Sequence, residues 1–310
     1  MSEDLQKAES RLQNIRTVAP ILAALRTISL SGWQVAARRR ELLKAYLSQY
    51  WELGAPLAAQ LLAAARSQRV ASSVVGRSGE PGAVLLLVVG SERGLCGRYN
   101  KVLLDRLEAL REGAGEGCAL RYAALGRRMI RSLEQRSLAL EWSRALSLTS
   151  LPPYSLAESL IAQWLERYEA GELDAVDVLY NAPGGGMSYQ SAVVRVVPPV
   201  LGGGILSGDQ GLVTQPWPSI LIDGDPEALL RRWLSQWMVV SLYTLFVEAA
   251  VSERSARYQL MESATQNANR LIADLVIVAQ AARRQAITNE TRELAIGAGL
   301  LDSSSSPTDQ

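Results

Sequence analysis

Apolar residues near the start of the chain recur at alternating intervals of three and four: Leu5, Ala8, Leu12, Ile15, Ala19 and Leu22. That spacing gathers them on one side of a helix. It predicts either a coiled-coil seam or one face of an ordinary amphipathic helix over about Glu3–Gln68. Pro20 interrupts the run. A proline inside a helix removes one hydrogen bond and crowds the preceding turn, so a kink is expected there. Gly54 and Pro56 predict a second bend.

The same rhythm returns in the last quarter, at Met261, Ala264, Ala268, Leu271, Leu275, Val278 and Ala282. From Glu227 to Ile296, about 70 residues, there is no Gly and no Pro. Asp223 or Asp225 can cap this segment, with Pro226 at the first helical position. One helix of that length would extend on the order of 100 Å. A pattern this long points to a coiled coil, a membrane span or a helical repeat. Small residues along the stripe admit a second helix at close range, and the N-terminal helix is the partner expected. A helix too long for a small domain to bury must reach something else, which favours assembly or mechanics over catalysis.

Between the helices the pattern changes. Ala83–Gly90 is a short apolar run closed by glycine, the mark of a buried strand. A helical pattern follows to about Arg111. Cys118–Leu125, Asp177–Asn181 and Ala192–Val197 are further strands, with a helix over Leu156–Tyr168. Strands alternating with helices predict an α/β domain with an at least partly parallel sheet. Gly202–Gly211 reads as a loop. The boundaries expected are a helix over 1–70, the α/β domain over 71–224, a second helix over 225–300 and a disordered tail over 301–310.

Composition narrows the function. The 310 residues are 48% hydrophobic with a net charge of +1, which gives no reason to expect nucleic acid. There is no histidine, the commonest general base and metal ligand. Cys96 and Cys118 are unclustered, suit a reducing compartment, and offer neither a zinc site nor a disulfide framework. The N-terminus shows no apolar signal region. The most apolar window, Trp237–Val247, is about 11 residues long and ends at Glu248, short of the roughly 20 a span needs. The expectation is a soluble, cytoplasmic protein without metal or cofactor.

Gly94-Leu-Cys-Gly97 lies between a strand and a helix. It could cradle a phosphate, but it lacks the spacing and the lysine of nucleotide-binding loops, and a tight turn is the better reading. Cys96 has no histidine to activate it and reads as a small buried residue. Gly184–Gly186 reads as a hairpin or loop. Trp233 and Trp237, one turn apart, read as a packing stripe against the α/β domain. Arg38–Arg40 read as a solvated face. Arg283, Arg284, Gln285, Thr288 and Glu290 cluster late in the last helix, either as a plain exposed end or as a polar collar gripped by a partner.

Three separated signatures resemble the gamma subunit of F-type rotary ATP synthases. The family's SE-x-x-AR-x-x-x-M-x-x-AT-x-N is met by Ser252-Glu253, Ala256-Arg257, Met261, Ala264-Thr265 and Asn267. Its R-Q-x-x-IT-x-E is met at Arg283, Ile287-Thr288 and Glu290, with Gly297-Ala298 beyond. Its D-x-GLCG-x-x-N reads Glu92-Arg-Gly-Leu-Cys-Gly-Arg-Tyr-Asn100. In the first helix Arg11-Leu12, Ile15 and Ala24-Leu25 fit, but Pro20 stands at the family's lysine, Leu22 at its threonine, and Arg284 at its glutamine. The chain looks like a diverged gamma, of the main, a second-copy, a sodium-translocating or an alternative rotary type.

The resemblance implies an antiparallel coiled coil of the two terminal helices with an inserted Rossmann-like α/β domain. It implies a non-catalytic central-stalk rotor turning inside a hexamer of alpha and beta subunits, beside epsilon and on the membrane c-ring. Coupling of ion translocation to ATP synthesis or hydrolysis would follow. The place implied is the cytoplasmic face of a bacterial membrane, peripherally bound through the complex. Arg283, Arg284, Gln285, Thr288 and Glu290 would meet the catch loops of beta; Gly94, Cys96 and Gly97 would form a structural turn; Met261, Ala264, Ala268, Leu271 and Leu275 would pack the shaft, with an apolar tip at Leu294–Leu301. Two readings from other classes are a non-rotary coiled-coil adaptor and a nucleotide-binding enzyme built on the Gly94 turn.

Overall fold

A computed structural model describes residues 3–64, 82–113, 119–147, 150–199 and 225–298. The elements are α1 (Glu3–Ala64), β1 (Ala83–Val89), α2 (Tyr99–Gly113), β2 (Ala119–Leu125), α3 (Arg127–Glu134), β3 (Leu140–Arg144), α4 (Tyr154–Glu169), β4 (Ala175–Pro183), β5 (Tyr189–Val197) and α5 (Pro226–Gly297). Cys118, Asp223, the loop over 202–211, the tail over 301–310 and the far end of the apolar tip fall outside the described residues. The chain divides into two compact units: Met1–Thr27 with Gln259–Gln310, and Ile28–Tyr258.

The larger unit holds a five-stranded sheet in the order β3-β2-β1-β4-β5. The β1–β2, β2–β3 and β1–β4 pairs are parallel, and the β4–β5 hairpin is antiparallel. Parallel strands need crossovers, which α2, α3 and α4 supply. The central strand β1 reads Ala-Val-Leu-Leu-Leu-Val-Val with six of seven residues buried, because helices cover both of its faces. Leu86 and Val88 pack with Leu103 and Leu107 of α2 and Met129 and Leu133 of α3. Leu85, Leu87 and Val89 pack with Leu160, Ile161 and Trp164 of α4 and with α5. The tri-glycine segment closes the hairpin: Gly184 N donates to Ser188 O at 2.8 Å, and Gly186 takes a φ of 67°.

In the same unit α1 and α5 run antiparallel. Arg40 meets Glu248, and Tyr50 meets Trp233, so the register falls on one helix as it rises on the other. α1 is unbroken through Pro20, Gly54 and Pro56, so the two bends expected from sequence do not divide it. Pro20 lies on an exposed side of the helix. Gly54 serves a close approach: a Cβ there would land inside the Trp233 indole. Trp233 and Trp237 stack chiefly on Tyr50 and Trp51 of α1, with Tyr50–Trp233 centroids 5.8 Å apart and planes within 4°. The stripe expected to face the α/β domain is thus a helix-to-helix aromatic ladder. α5 begins as the sequence suggests, with Glu227 N donating to Asp225 Oδ1 at 3.0 Å. It also carries a window apolar enough to cross a membrane, of which 83% is buried inside the protein. The requirement to cover the sheet explains that hydrophobicity.

The smaller unit is an antiparallel helix pair by the same test. Glu9 accepts from Arg283 at 3.0 Å, and Glu262 from Arg26 at 3.1 Å. Ala8 and Leu12 are buried on α1, and Met261, Thr265 and Ala268 on α5. Half-buried residues of α5 then include Ile272, Leu275, Ala279, Ala282 and Ala286, spaced alternately by three and four, with Val276 beside Leu275. Leu271 and Val278, expected in the seam, are 47% and 53% exposed. Ile272 and Ala279 take those places. Where neighbours at i+3 and i+4 are both apolar, spacing does not fix which of the two faces the partner helix.

Candidate functional site

The polar cluster near the end of α5 is displayed to solvent. Arg283, Arg284, Gln285, Thr288 and Glu290 are all exposed. At about 100° per residue they spread over roughly 220° of the helix circumference, a partial collar rather than a stripe. Thr288 turns its hydroxyl inward and donates to Arg284 O at 2.9 Å. Arg283 alone of the five ties back to α1, through Glu9, and that pair is largely solvated, with side chains 67% and 41% exposed. Ile287 and Leu294, 57% and 68% exposed, lie on the Arg283–Glu290 side. The collar therefore mixes charge with uncovered apolar surface. Among the described residues it spends almost none of its hydrogen-bonding capacity on its own chain, which suits it to a surrounding partner.

The Gly94 turn is arranged quite differently. Leu95 and Gly97 adopt left-handed φ values of 61° and 58°, which turn the chain sharply from β1 into α2. Asn100 closes the turn. Its Oδ1 accepts from Ser91 N at 3.0 Å and its Nδ2 donates to Ser91 Oγ at 2.7 Å. Cys96 is buried, with its thiol against Ser91 Oγ and Arg93 O. Burial pushes the Cys96 thiol above its ordinary value, with the Ser91 hydrogen bond opposing in part. A thiol kept protonated at neutral pH is no nucleophile. From Ser91 to Asn100 the turn is thus held largely by its own side chains.

Glu92, the acidic residue of that pattern, does more than sequence reasoning assigned to it. Its Oε2 accepts from Arg127 N at 2.9 Å and from Leu146 N at 2.7 Å. Arg127 Nε lies 3.3 Å from its Oε1. One buried carboxylate therefore ties together the chain leaving β1, β2 and β3. Its signal was its place at the head of the turn motif.

A second group that sequence reasoning missed joins three elements of the larger unit. Glu248 of α5 accepts from Arg40 Nε of α1 at Oε1 and from the Tyr180 hydroxyl of β4 at Oε2, both at 2.9 Å. Arg40 and Glu248 side chains are 21% and 11% exposed. Burial, then the adjacent Glu248 carboxylate, drives the Tyr180 phenol well above its ordinary value. Arg39 sits over the Tyr243 ring at 5.9 Å. The basic run Arg38–Arg40 is consequently not a solvated face throughout. The signal available was Glu248 itself, a lone charge closing an apolar window.

The sequence model of a family described as ATP synthase matches residues 4–301. A protein named ATP synthase gamma chain from Rubrobacter xylanophilus is 28% identical over 297 residues, covering 96% of this chain and 98% of its own length. One of the same name from Paracoccus denitrificans is 28% identical over 302 residues, covering 96% and 99%. Among solved structures, a chain of the Euglena gracilis mitochondrial ATP synthase, in its OSCP/F1/c-ring assembly, matches with a TM-score of 0.62 at 13% identity, covering 99% of both chains. A chain from the rotor of the same enzyme matches with a TM-score of 0.59 at 13% identity, covering 91% and 98%. These two likenesses speak to the fold: two long helices around an inserted, mostly parallel sheet.

Proposed function

This chain belongs to the ATP synthase family, and from that premise we propose that it is the gamma subunit, the non-catalytic central stalk of a rotary complex. The observation that carries the reading is the family match over residues 4–301, on a chain whose terminal segments are antiparallel helices. A shaft must resist twisting and shear, and long unbroken helices keyed together by buried contacts supply both. Its partners are the alpha and beta subunits of the hexamer, the epsilon subunit and the c-ring. It thereby couples ion translocation to ATP synthesis or hydrolysis in the hexamer. It sits with the membrane-associated F1 portion, peripherally, at the cytoplasmic face of a bacterial membrane.

Its functional parts are the helix over 1–70, the α/β domain over 71–224 and the helix over 225–300. The collar of Arg283, Arg284, Gln285, Thr288 and Glu290 contacts the catch loops of beta. Its support is exposure on most sides and a lack of strong contacts among the described residues. The test is co-expression with the alpha and beta subunits of the same organism, followed by size-exclusion chromatography and an ATPase assay. A stable complex holding one copy of the chain, with ATPase activity that depends on it, is expected. Failure of alpha and beta to retain the chain would remove the rotor reading while leaving the fold intact.

A further inference from the structure

In the larger unit, β1 lies between β2 and β4. Helices α2 and α3 pack on one face of the sheet, and α4 on the other. The winding therefore reverses between β1 and β4. In open α/β sheets, the crevice outside the carboxyl ends of the strands at such a reversal is where ligands settle. Beside that point, under α5 and at the carboxyl ends of β1 and β3, lies a cavity of about 40 Å³, lined by Gly90, Glu92, Arg93, Glu253, Arg254 and Arg257 among others. One water needs about 10–15 Å³ of such space, so the cavity has room for a small tetrahedral oxyanion.

The charges around it do not close on themselves. Glu92 accepts from two backbone amides at Oε2 and lies 3.3 Å from Arg127 Nε at Oε1, an oxygen that is buried without a hydrogen bond. Glu253 is engaged by Arg257. Arg254 is half-buried and makes no ion pair among the described residues. Its Nη1 donates to the carbonyl of Gly32 at 2.8 Å. Burial lowers the pKa of its guanidinium, the sign of a cation withdrawn from water. Arg257 Nε is buried and lacks a hydrogen-bond partner. Arg93 stands exposed at the mouth. A buried guanidinium is costly unless a charge or a full set of acceptors meets it. A tetrahedral anion offers several acceptors to convergent arginines.

We propose that this cavity binds a phosphate-type oxyanion, held by Arg254, by the Nε–H of Arg257 and by Arg93 at the entrance. The anion would be free inorganic phosphate or the terminal phosphate of a nucleotide. The small volume favours free phosphate. The site is separate from the collar and does not rest on the rotor reading, since the chain alone carries all its residues.

The test is calorimetric titration of the full chain with inorganic phosphate at constant ionic strength, set beside titrations with ADP and with chloride. Saturable one-site binding of phosphate is expected, weakened at least tenfold by Arg254→Gln and by Arg93→Gln. Arg93 is exposed, so its variant folds even where the buried substitution does not. ADP binding tighter than phosphate would assign the site to a nucleotide phosphate; equal or weaker binding assigns it to the free anion. Absence of saturable phosphate binding, or unchanged affinity in Arg93→Gln, overturns the proposal.

Discussion

Replacing Glu248 with alanine tests the joint between the helices and the sheet. The substitution removes the acceptor of both Arg40 and Tyr180. Arg40 is left as a mostly buried cation whose remaining counter-charge among the described residues is the exposed Glu41, 3.5 Å from its Nη1, and the Tyr180 hydroxyl loses its partner. Breaking a buried pair from one side costs about 3–5 kcal/mol. Arg40 keeps 21% exposure, so water relieves part of this and about 3 kcal/mol is expected. The pairing itself accounts for only a fraction, because two apolar residues of similar size often replace a buried pair at little cost. Arg40→Met with Glu248→Leu should therefore recover at least about 1.5 kcal/mol relative to the sum of the single changes. Urea unfolding of the parent chain, Arg40→Met, Glu248→Leu and the double variant, followed by far-ultraviolet circular dichroism, measures this cycle, and the same assay on Glu248→Ala measures the one-sided loss. Additivity within about 0.5 kcal/mol would mean that the two side chains do not act as a unit, and would refute the argument.

Gly54→Ala should destabilise the chain by about 1–3 kcal/mol despite alanine's better helix propensity, since the new methyl overlaps the Trp233 ring; a raised melting temperature would show that the helices part easily there. The Tyr50 phenol is pushed up from 10.0 to about 12, first by burial and then by Tyr46 and Tyr154. The folded chain keeps that proton where the unfolded chain has lost it. The resulting stabilisation is whole below pH 10 and is lost as pH rises from 10 to 12, so the melting temperature of Tyr50→Phe should fall less steeply over that window; parallel pH profiles would contradict the assignment. Arg283→Ala with Glu290→Ala should change the stability of the isolated chain by less than about 1 kcal/mol, because the Arg283–Glu9 pair is solvated. The same variant should lower ATPase activity in the alpha–beta complex, and undiminished activity with normal assembly would remove the collar from the contact with beta.

Much of the architecture was legible because helix and strand periods are local. The three–four rhythm of Ala8, Leu12, Ile15, Ala19 and Leu22 marks the face of α1 that the structure keeps from water. The continuous apolar run of β1 announced a strand covered on both sides. Phase was harder. Leu271 and Ile272 are equally apolar, and only the position of the partner helix decides between them. Breaker residues do not end α1, for a related reason. Pro20 and Gly54 signal bends in an isolated helix, but here one faces outward and the other makes room for an indole. The buried partners of charged residues were least legible. Nothing near Arg40 in sequence reveals Glu248, 208 positions away. Glu92 was visible as a motif letter, yet its work of tying three strand ends needed the sheet order.

The seat of Trp233 over Gly54 has a consequence in mechanical language. A shaft made of two rods fails first by slip, one rod creeping along the other, and smooth leucine-like surfaces do little to oppose it. The indole in its glycine notch acts as a key in a keyway. Moving one helix along the other by a single residue, about 1.5 Å, would drive the ring off bare backbone and against a neighbouring side chain. Trp51, about one turn before Gly54 on α1, also meets the Trp233 ring, with centroids 6.1 Å apart. The pair is thus locked against axial creep at one place, by the absence of a side chain.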